Sequence, residues 1–455
     1  MLNLRLADVV RWTGGRLHGA DATITAVSTD TRTLEHGMLF VALAGEHHDA
    51  HDFIEAARER GAAAALVDRE LPTALPQVVV DDTLVALGEL ARAVRAQRGA
   101  RVVGITGSNG KTTVKTLLAS ILARHGRTHV NAGNFNNEIG LPLTLLAMPA
   151  DSEYAVLEMG AGKPGDIDYL ARIAQPQVAL VNNVAAAHLE RMGSLTGVAE
   201  TKGAIYRALP PDGVAVVNAD DAFAGYFARI AAPRRVLTFG LLHRADVGAD
   251  LDTGAGHFRL LTPAGNAAVA LPLPGRHNVM NALAATALAL ALNVPLATIK
   301  AGLEQAPNVS GRLARREHAS GAIVIDDSYN ANPGSFAAAI ATLAGEPGER
   351  VLVMGDMAEL GVDAERLHAE VGALARRSGI QRLRAVGRLS RAAVDAFGAG
   401  AQHYAEQAQL IEALRGDLRG GVALLVKGSR SSAMDRVVRA LHGDTDENGG
   451  ERHAA

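Results

Sequence analysis

The stretch GITGSNGKTT, from Gly104 to Thr113, constrains the fold more than any other in this 455-residue chain. A short β-branched run, RVV, precedes it, and VKTLLASILARHG follows with apolar residues at helical spacing. A strand that turns through small residues directly into a helix aims backbone N–H groups and the positive end of the helix dipole at one point. The stretch therefore predicts a phosphate loop at the carboxyl edge of a parallel sheet. Gly107, Ser108, Asn109 and Gly110 form the loop, Lys111 reaches the β- and γ-phosphates, and Thr112 and Thr113 open the helix, with the Thr112 hydroxyl facing Mg²⁺. The general pattern G-x-x-x-x-G-K-S/T is not met, because Ile105 stands where its first glycine belongs. A glycine-rich turn without a ligand is the bland alternative, and the attached Lys-Thr-Thr weighs against it.

A chain this long exceeds what one hydrophobic core serves, and the pattern of elements divides it in three. Residues 1–82 read as a small α/β N-terminal module, with a helix in AHDFIEAARERGA and a strand in AALV. Residues 83–310 read as a central parallel-sheet P-loop ATPase domain, in which VVGIT, YAVLEMG, VALVNNV and VAVVN alternate with helical stretches. Within it, 236–274 reads as a β-meander appended to that sheet, and an Ala/Leu-rich helix runs from about Asn278 to Leu292. Residues 311–455 restart the alternation with AIVIDDSYN, VLVMGDM, LRAVG and ALLVKGS, a C-terminal doubly wound Rossmann-like domain with a frayed polar tail.

With a net charge of -3, the chain has no basic field to attract nucleic acid or anionic lipid. It has no cysteine, which excludes disulfides, thiolate metal sites and cysteine nucleophiles, and fits a reducing compartment. Apolar runs such as ALAATALALAL are too short to span a bilayer, and the N-terminus lacks the pattern of a signal segment. The expectation is a cytoplasmic protein with no membrane insertion.

Ligands of open parallel sheets gather at strand carboxyl ends, which gives weight to polar residues there. Glu158 ends YAVLEMG, where a carboxylate beside a nucleotide suits Mg²⁺, or merely a salt-bridged strand end. His188 follows VALVNNV and overlies the same edge if that strand neighbours the first. An imidazole is an unusual magnesium ligand, and a loop histidine is its plain alternative. Lys202, in ETKGAIY, reads by default as a solvated helix lysine. Asn278 and Asn281, three apart, share a helix face, where amides read a purine edge or cap the helix. IDDSYNANPGS clusters Asp326, Asp327, Tyr329, Asn330 and Asn332 ahead of a helix starting near Pro333. Arg312 and Lys427 are surface cations or, if the third domain closes over the loop, phosphate neutralisers.

Together GITGSNGKTT, LEMG, AAAHLE, ETKGAIY, GRHNVMNALAA, DDSYNANP and KGSRSSAM resemble, in order and over nearly the whole chain, the Mur ligases, which add amino acids or dipeptides to the peptidoglycan precursor. NAGNFNNEIGLPLTLL and DDSYNANPGS are similar to the member acting last, and the DNPR motif of diamino-acid-adding members is absent. The resemblance implies ATP and two Mg²⁺ as cofactors, UDP-N-acetylmuramoyl-tripeptide and D-alanyl-D-alanine as small-molecule substrates, and a monomer. It implies that Glu158, His188 and Thr112 hold metal and that Asn278 and Asn281 contact adenine. Arg312 and Asp327 would contact phosphate and ribose, and Asp30, Thr31 and Arg32 the uridine end. Asn134, Asn137, Asn330 and Lys427 would contact substrate. Lys202 matches a lysine that the family carbamylates, so that its new carboxylate helps hold a second Mg²⁺. One departure is DAHDF, where relatives commonly have Gly in place of Ala50. The implied activity is amide formation through an acyl phosphate. Rival readings are another ligase of the wider family, such as a folylpolyglutamate synthetase, and a regulatory ATPase that moves a partner.

Overall fold

A computed structural model describes residues 2–45, 48–186, 188–251, 256–307 and 311–443. The polar C-terminal tail lies outside the described residues. Three α/β units follow one another along the chain, each built on its own sheet.

The first unit's sheet orders its strands Arg16–His18, Gln77–Val79, Ala64–Val67, Leu39–Val41 and Val27–Ser28, parallel except for the first. The central sheet has six strands, all parallel, in the order Arg235–Phe239, Val214–Asn218, Val178–Val181, Arg101–Thr106, Tyr154–Glu158 and Thr128–Val130. Arg101–Thr106 lies in the middle and is almost wholly buried, as its run of Val and Ile requires of a strand covered by helices on both faces. The third sheet orders Ala314–Glu317, Ile323–Asp327, Val422–Lys427, Glu349–Met354, Arg382–Val386 and Ala401–Tyr404, with only the first strand antiparallel.

The meander expected over 236–274 is divided differently. Arg235–Phe239 is a parallel edge strand of the central sheet, and the meander is a separate antiparallel sheet of Gly248–Leu251, His257–Thr262 and Gly265–Ala270. An edge strand is covered incompletely, so RVLTF alternates exposed and buried positions and mimics an antiparallel pattern.

The helix Lys111–Leu122 buries Val114, Leu117, Leu118 and Ile121, a stripe at helical spacing. It packs beneath the helix Arg276–Ala291, which is buried nearly all round and joins the same core. The helix Leu296–Glu304 crosses it so closely that a Cβ on Gly302 would stand 2.4 Å from the Ile121 Cα. Gly302→Ala should therefore destabilise the protein by about 1–3 kcal/mol through overpacking, despite alanine's better helix propensity. An unchanged or raised urea midpoint would show that the crossing is looser than this.

The cores differ in a way that matters for the site. One apolar cluster runs unbroken from Leu6 and Leu39 of the first unit to Leu157 and Val181 of the central sheet. Each face of the third sheet has its own cluster, with no residue from the other two units.

Candidate active site

Between the carboxyl edge of the central sheet and the third unit lies a cavity of about 660 Å³, within the range of small-molecule sites. Ile105 sits fully buried within the strand, so the loop begins only at Gly107, which explains the absent first glycine. Gly110 has φ 79 and caps the helix, and a Cβ there would stand 2.4 Å from Asn281 Oδ1. Only glycine meets both conditions. Lys111 Nζ donates to Gly107 O at 2.9 Å, folding the lysine back over the loop.

Glu158 lies in register beside Ile105, so its carboxylate stands next to the loop. Thr112 Oγ1 donates to Glu158 Oε2 at 2.8 Å, and Asn136 Nδ2 donates to Oε1 at 2.8 Å. Lys115 Nζ stands 3.5 Å from Oε2, with further bonds to Asn131 O and Gly133 O. Burial pushes the Glu158 carboxyl up, but Lys111, Lys115, Arg312 and the Thr112 hydroxyl outweigh it and hold the group below the ordinary carboxylate range. Burial lowers both Lys111 and Lys115, offset in part by Glu158.

Among the described residues no three His, Asp or Glu side chains converge into a ready-made metal site. The oxygens of Glu158 and Thr112 nevertheless fit Mg²⁺, which takes one or two protein oxygens and completes its shell from nucleotide phosphates and water. His188 lies beyond the strand Val178–Val181, which does neighbour the phosphate-loop strand, and it lines the cavity. Its Nδ1 is 2.5 Å from Glu359 Oε2 of the third unit. Burial lowers its pKa, with Glu359 opposing and Lys202 and Lys111 assisting, which favours the neutral ring.

Lys202, on the helix Leu195–Arg207, is only 2% exposed and lines the cavity. Burial first, then Lys111, lowers its pKa to about 7, with Asp166 opposing. The solvated-lysine reading is excluded here.

The third unit supplies the opposite wall. Arg312 Nη2 donates to Thr112 Oγ1 at 2.8 Å, and its guanidinium lies 4.4 Å over the Tyr329 ring. Asp327 and Lys427 are register partners on adjacent strands, joined at 2.6 Å, and Lys427 also donates to Asn330 O at 2.9 Å. Asn332 caps the helix Pro333–Ala344 and donates through Nδ2 to Asn109 Oδ1 at 2.7 Å, tying this unit to the phosphate loop.

Not every residue singled out in the sequence arrives at the cavity. Asn278 and Asn281 line it but are partly committed: Asn278 Nδ2 donates to Pro274 O at 2.7 Å, Asn281 Nδ2 donates to Asn278 Oδ1 at 3.2 Å, and Asn281 Oδ1 accepts from Asn182 Nδ2. Asn137 lines it while Oδ1 accepts from Gly140 N at 2.9 Å. Asn134 is not among the lining residues, and its neighbour Asn136 makes the contact to Glu158 instead. Asp326 is also absent from the lining and is engaged by Ser328. Asp30, Thr31 and Arg32 form a short turn on the first unit, away from the cavity lining, with Asp30 accepting from Arg32.

Several participants went unread. Lys115 lies one turn beyond Lys111, a spacing that places both on one helix face. Asn182 and Asn183 follow a central strand's carboxyl end, where the rule for parallel sheets points, and they hold the loop through Asn109. His277, its pKa lowered to about 4 by burial and then by Lys427, lines the cavity uncharged. GAGKPG after Glu158 has G-x-G-x-x-G spacing between a strand and a helix. Asp166 accepts from the N–H groups of Gly162 and Lys163, so that turn satisfies itself with its own carboxylate.

The three units and the phosphate-loop cavity between the central and third of them define a class, and the chain belongs to the Mur ligase family. Residues 23–95 match the model of the family's catalytic domain, 105–289 the Mur ligase middle domain and 311–430 the glutamate ligase domain. The chain is 47% identical over 447 residues to the UDP-N-acetylmuramoyl-tripeptide–D-alanyl-D-alanine ligase of Escherichia coli K12, covering 97% of this chain and 99% of that one. The crystal structure of MurF from Acinetobacter baumannii superposes with a TM-score of 0.91 at 37% identity, covering 96% of this chain and 98% of the other. The MurF ligase of Thermotoga maritima in complex with ADP gives 0.82 at 28% identity, with 92% and 97% covered. Among the described residues no helix is long and apolar enough to cross a membrane.

Proposed function

We propose that this chain joins D-alanyl-D-alanine to UDP-N-acetylmuramoyl-tripeptide at the expense of ATP, acting as a monomer in the cytoplasm. The observation that carries the reading is the convergence in one cavity of the loop lysine Lys111, Glu158, the buried Lys202, and Arg312 with Lys427 from the opposite unit, with the Thr112 hydroxyl bonded to both Glu158 and Arg312. The family relationship, the E. coli relative and the ADP-bound T. maritima relative support it.

A carboxylate is a poor acyl donor, so its activation precedes amide formation. A tripeptide carboxylate oxygen attacks the γ-phosphorus of ATP, forming an acyl phosphate and releasing ADP. The dipeptide's amine, having lost its proton, then adds to the acyl carbon, and phosphate leaves from the tetrahedral intermediate. Such transfers depend on placement and charge neutralisation, so cations recur here and no protein nucleophile is needed. Lys111 and Arg312 neutralise the transferred phosphoryl group, and Lys427 does so from the third unit. Glu158 and Thr112 would hold Mg²⁺, which when bound supplies further neutralisation of the phosphate oxygens. His188 and a carbamylated Lys202 would hold a second. An amine whose pKa is near 7 is neutral often enough to add to CO₂, so Lys202 is chemically suited to that modification. Asp327 takes the ribose and the Asn278–Asn281 face the adenine, through the valences their mutual network leaves free. Asp30, Thr31 and Arg32 take the uridine end, and Asn137 and Asn330 flank the acceptor. Closure of the third unit keeps water from the acyl phosphate.

Phosphate release should require ATP, the UDP-precursor and the dipeptide together. A coupled ADP assay with each component withheld in turn tests this. Release that needs neither acceptor would instead assign a regulatory ATPase.

A further inference from the structure

Two residues meet across the gap between the central and third units with backbones outside the ordinary range. His188 has φ 54 and ψ 32, and Glu359 has φ 60. Left-handed conformations at residues other than glycine cost free energy and persist where surrounding contacts enforce them. Here the enforced contact is the 2.5 Å pairing of His188 Nδ1 with Glu359 Oε2. Around it, Glu190 N approaches Glu359 O at 3.5 Å, and a Cβ on Gly361 would stand 3.6 Å from Glu190 Cα, so the two segments lie backbone to backbone. Glu359 does not line the cavity, whereas His188 does. The carboxylate therefore takes the ring from behind, and the Nε2 lone pair is the one left for a ligand.

A histidine used as a ligand gains orientation and basicity when its other ring N–H is held by a carboxylate. Here that carboxylate comes from a different unit, whose apolar core is separate. We propose that Glu359 is a positioning residue for the metal-bearing cavity: by standing against His188 Nδ1 it fixes the direction of the ring, and it does so only when the third unit is docked. Readiness for metal is thereby coupled to closure. This rests on the ligase reading for its purpose, but its test does not.

The test is Mn²⁺ binding in the presence of ADP, followed by electron paramagnetic resonance on the full-length protein, alongside ligation rates. Glu359→Ala should weaken Mn²⁺ binding by about 10–100-fold, as loss of a carboxylate behind a ligating histidine does. Glu359→Gln, whose amide oxygen can occupy the same place against Nδ1, should recover most of it. In a His188→Ala background, Glu359→Ala should add no further loss. Unchanged Mn²⁺ affinity in Glu359→Ala, or an equal loss with and without His188, would reduce Glu359 to a plain contact between units and overturn the proposal. If Glu359→Ala does not fold, Glu359→Asp, whose shorter side chain cannot hold the same geometry, carries the same comparison. Failure of wild-type ligation with intact Mn²⁺ coupling would count against the ligase reading alone.

Discussion

Lys111→Ala is expected to lower kcat/KM for ligation by about 10³-fold or more, the scale for removing a cation that stabilises transferring phosphoryl charge. The ammonium folds over Gly107 O, on a loop whose backbone admits no side chain at Gly110, so no neighbour can take its place. Lys115 is the nearest substitute, and it is held by Glu158, Asn131 O and Gly133 O. Binding of the UDP-precursor should survive, because the residues assigned to its uridine end lie on the first unit. Isothermal titration with the precursor, set beside steady-state rates, separates the two. Turnover near the wild-type value would remove the phosphate loop from the mechanism.

The second large effect concerns Lys202. Lys202→Ala should reduce turnover by about 10²–10³-fold, comparable to losing one electrostatic stabiliser of the reacting centre. Short carboxylic acids should restore part of it, because the missing group is, on this reading, a carboxylate rather than an amine. The site gives this prediction its force. A lysine 2% exposed beside another cation gains little from its own charge and is poised to exchange it for the opposite one. Loss without rescue would leave Lys202 a role in packing or charge but not as a carbamate. Full activity would remove it from the chemistry.

How far the sequence discloses this site follows from what each residue's surroundings depend on. The phosphate loop and Glu158 are legible because both are local: strand, turn and helix lie within one short stretch, and parallel sheets place ligands at strand ends. His188 is legible only conditionally, since its relevance depends on Val178–Val181 pairing with Arg101–Thr106, a contact between distant segments. Lys202 cannot be told from a surface lysine by its neighbours in sequence. Its burial comes from the packing of its helix against the helix Asp166–Ala174, and its lowered pKa from that burial and then from Lys111. The division of 236–274 misleads for a related reason: the exposure of an edge strand is a tertiary property that imitates the periodicity of a meander. Glu359 leaves no trace in the sequence, because its meaning lies wholly in what it touches across the gap.

The separate cores of the third unit have an energetic consequence. The polar contacts described between it and the central unit are few: Arg312 to Thr112, Asn332 to Asn109, Glu359 to His188 and the Glu190 N–H to Glu359 O. Contacts of this kind contribute on the order of 1 kcal/mol each net of the water they displace. So shallow a minimum leaves open and docked arrangements close in free energy, and whichever substrates bridge the two walls decide the balance. The measured affinity for nucleotide alone would then report two events, capture by the loop and the fraction of molecules already docked, and a second substrate that favours docking would strengthen it without touching it.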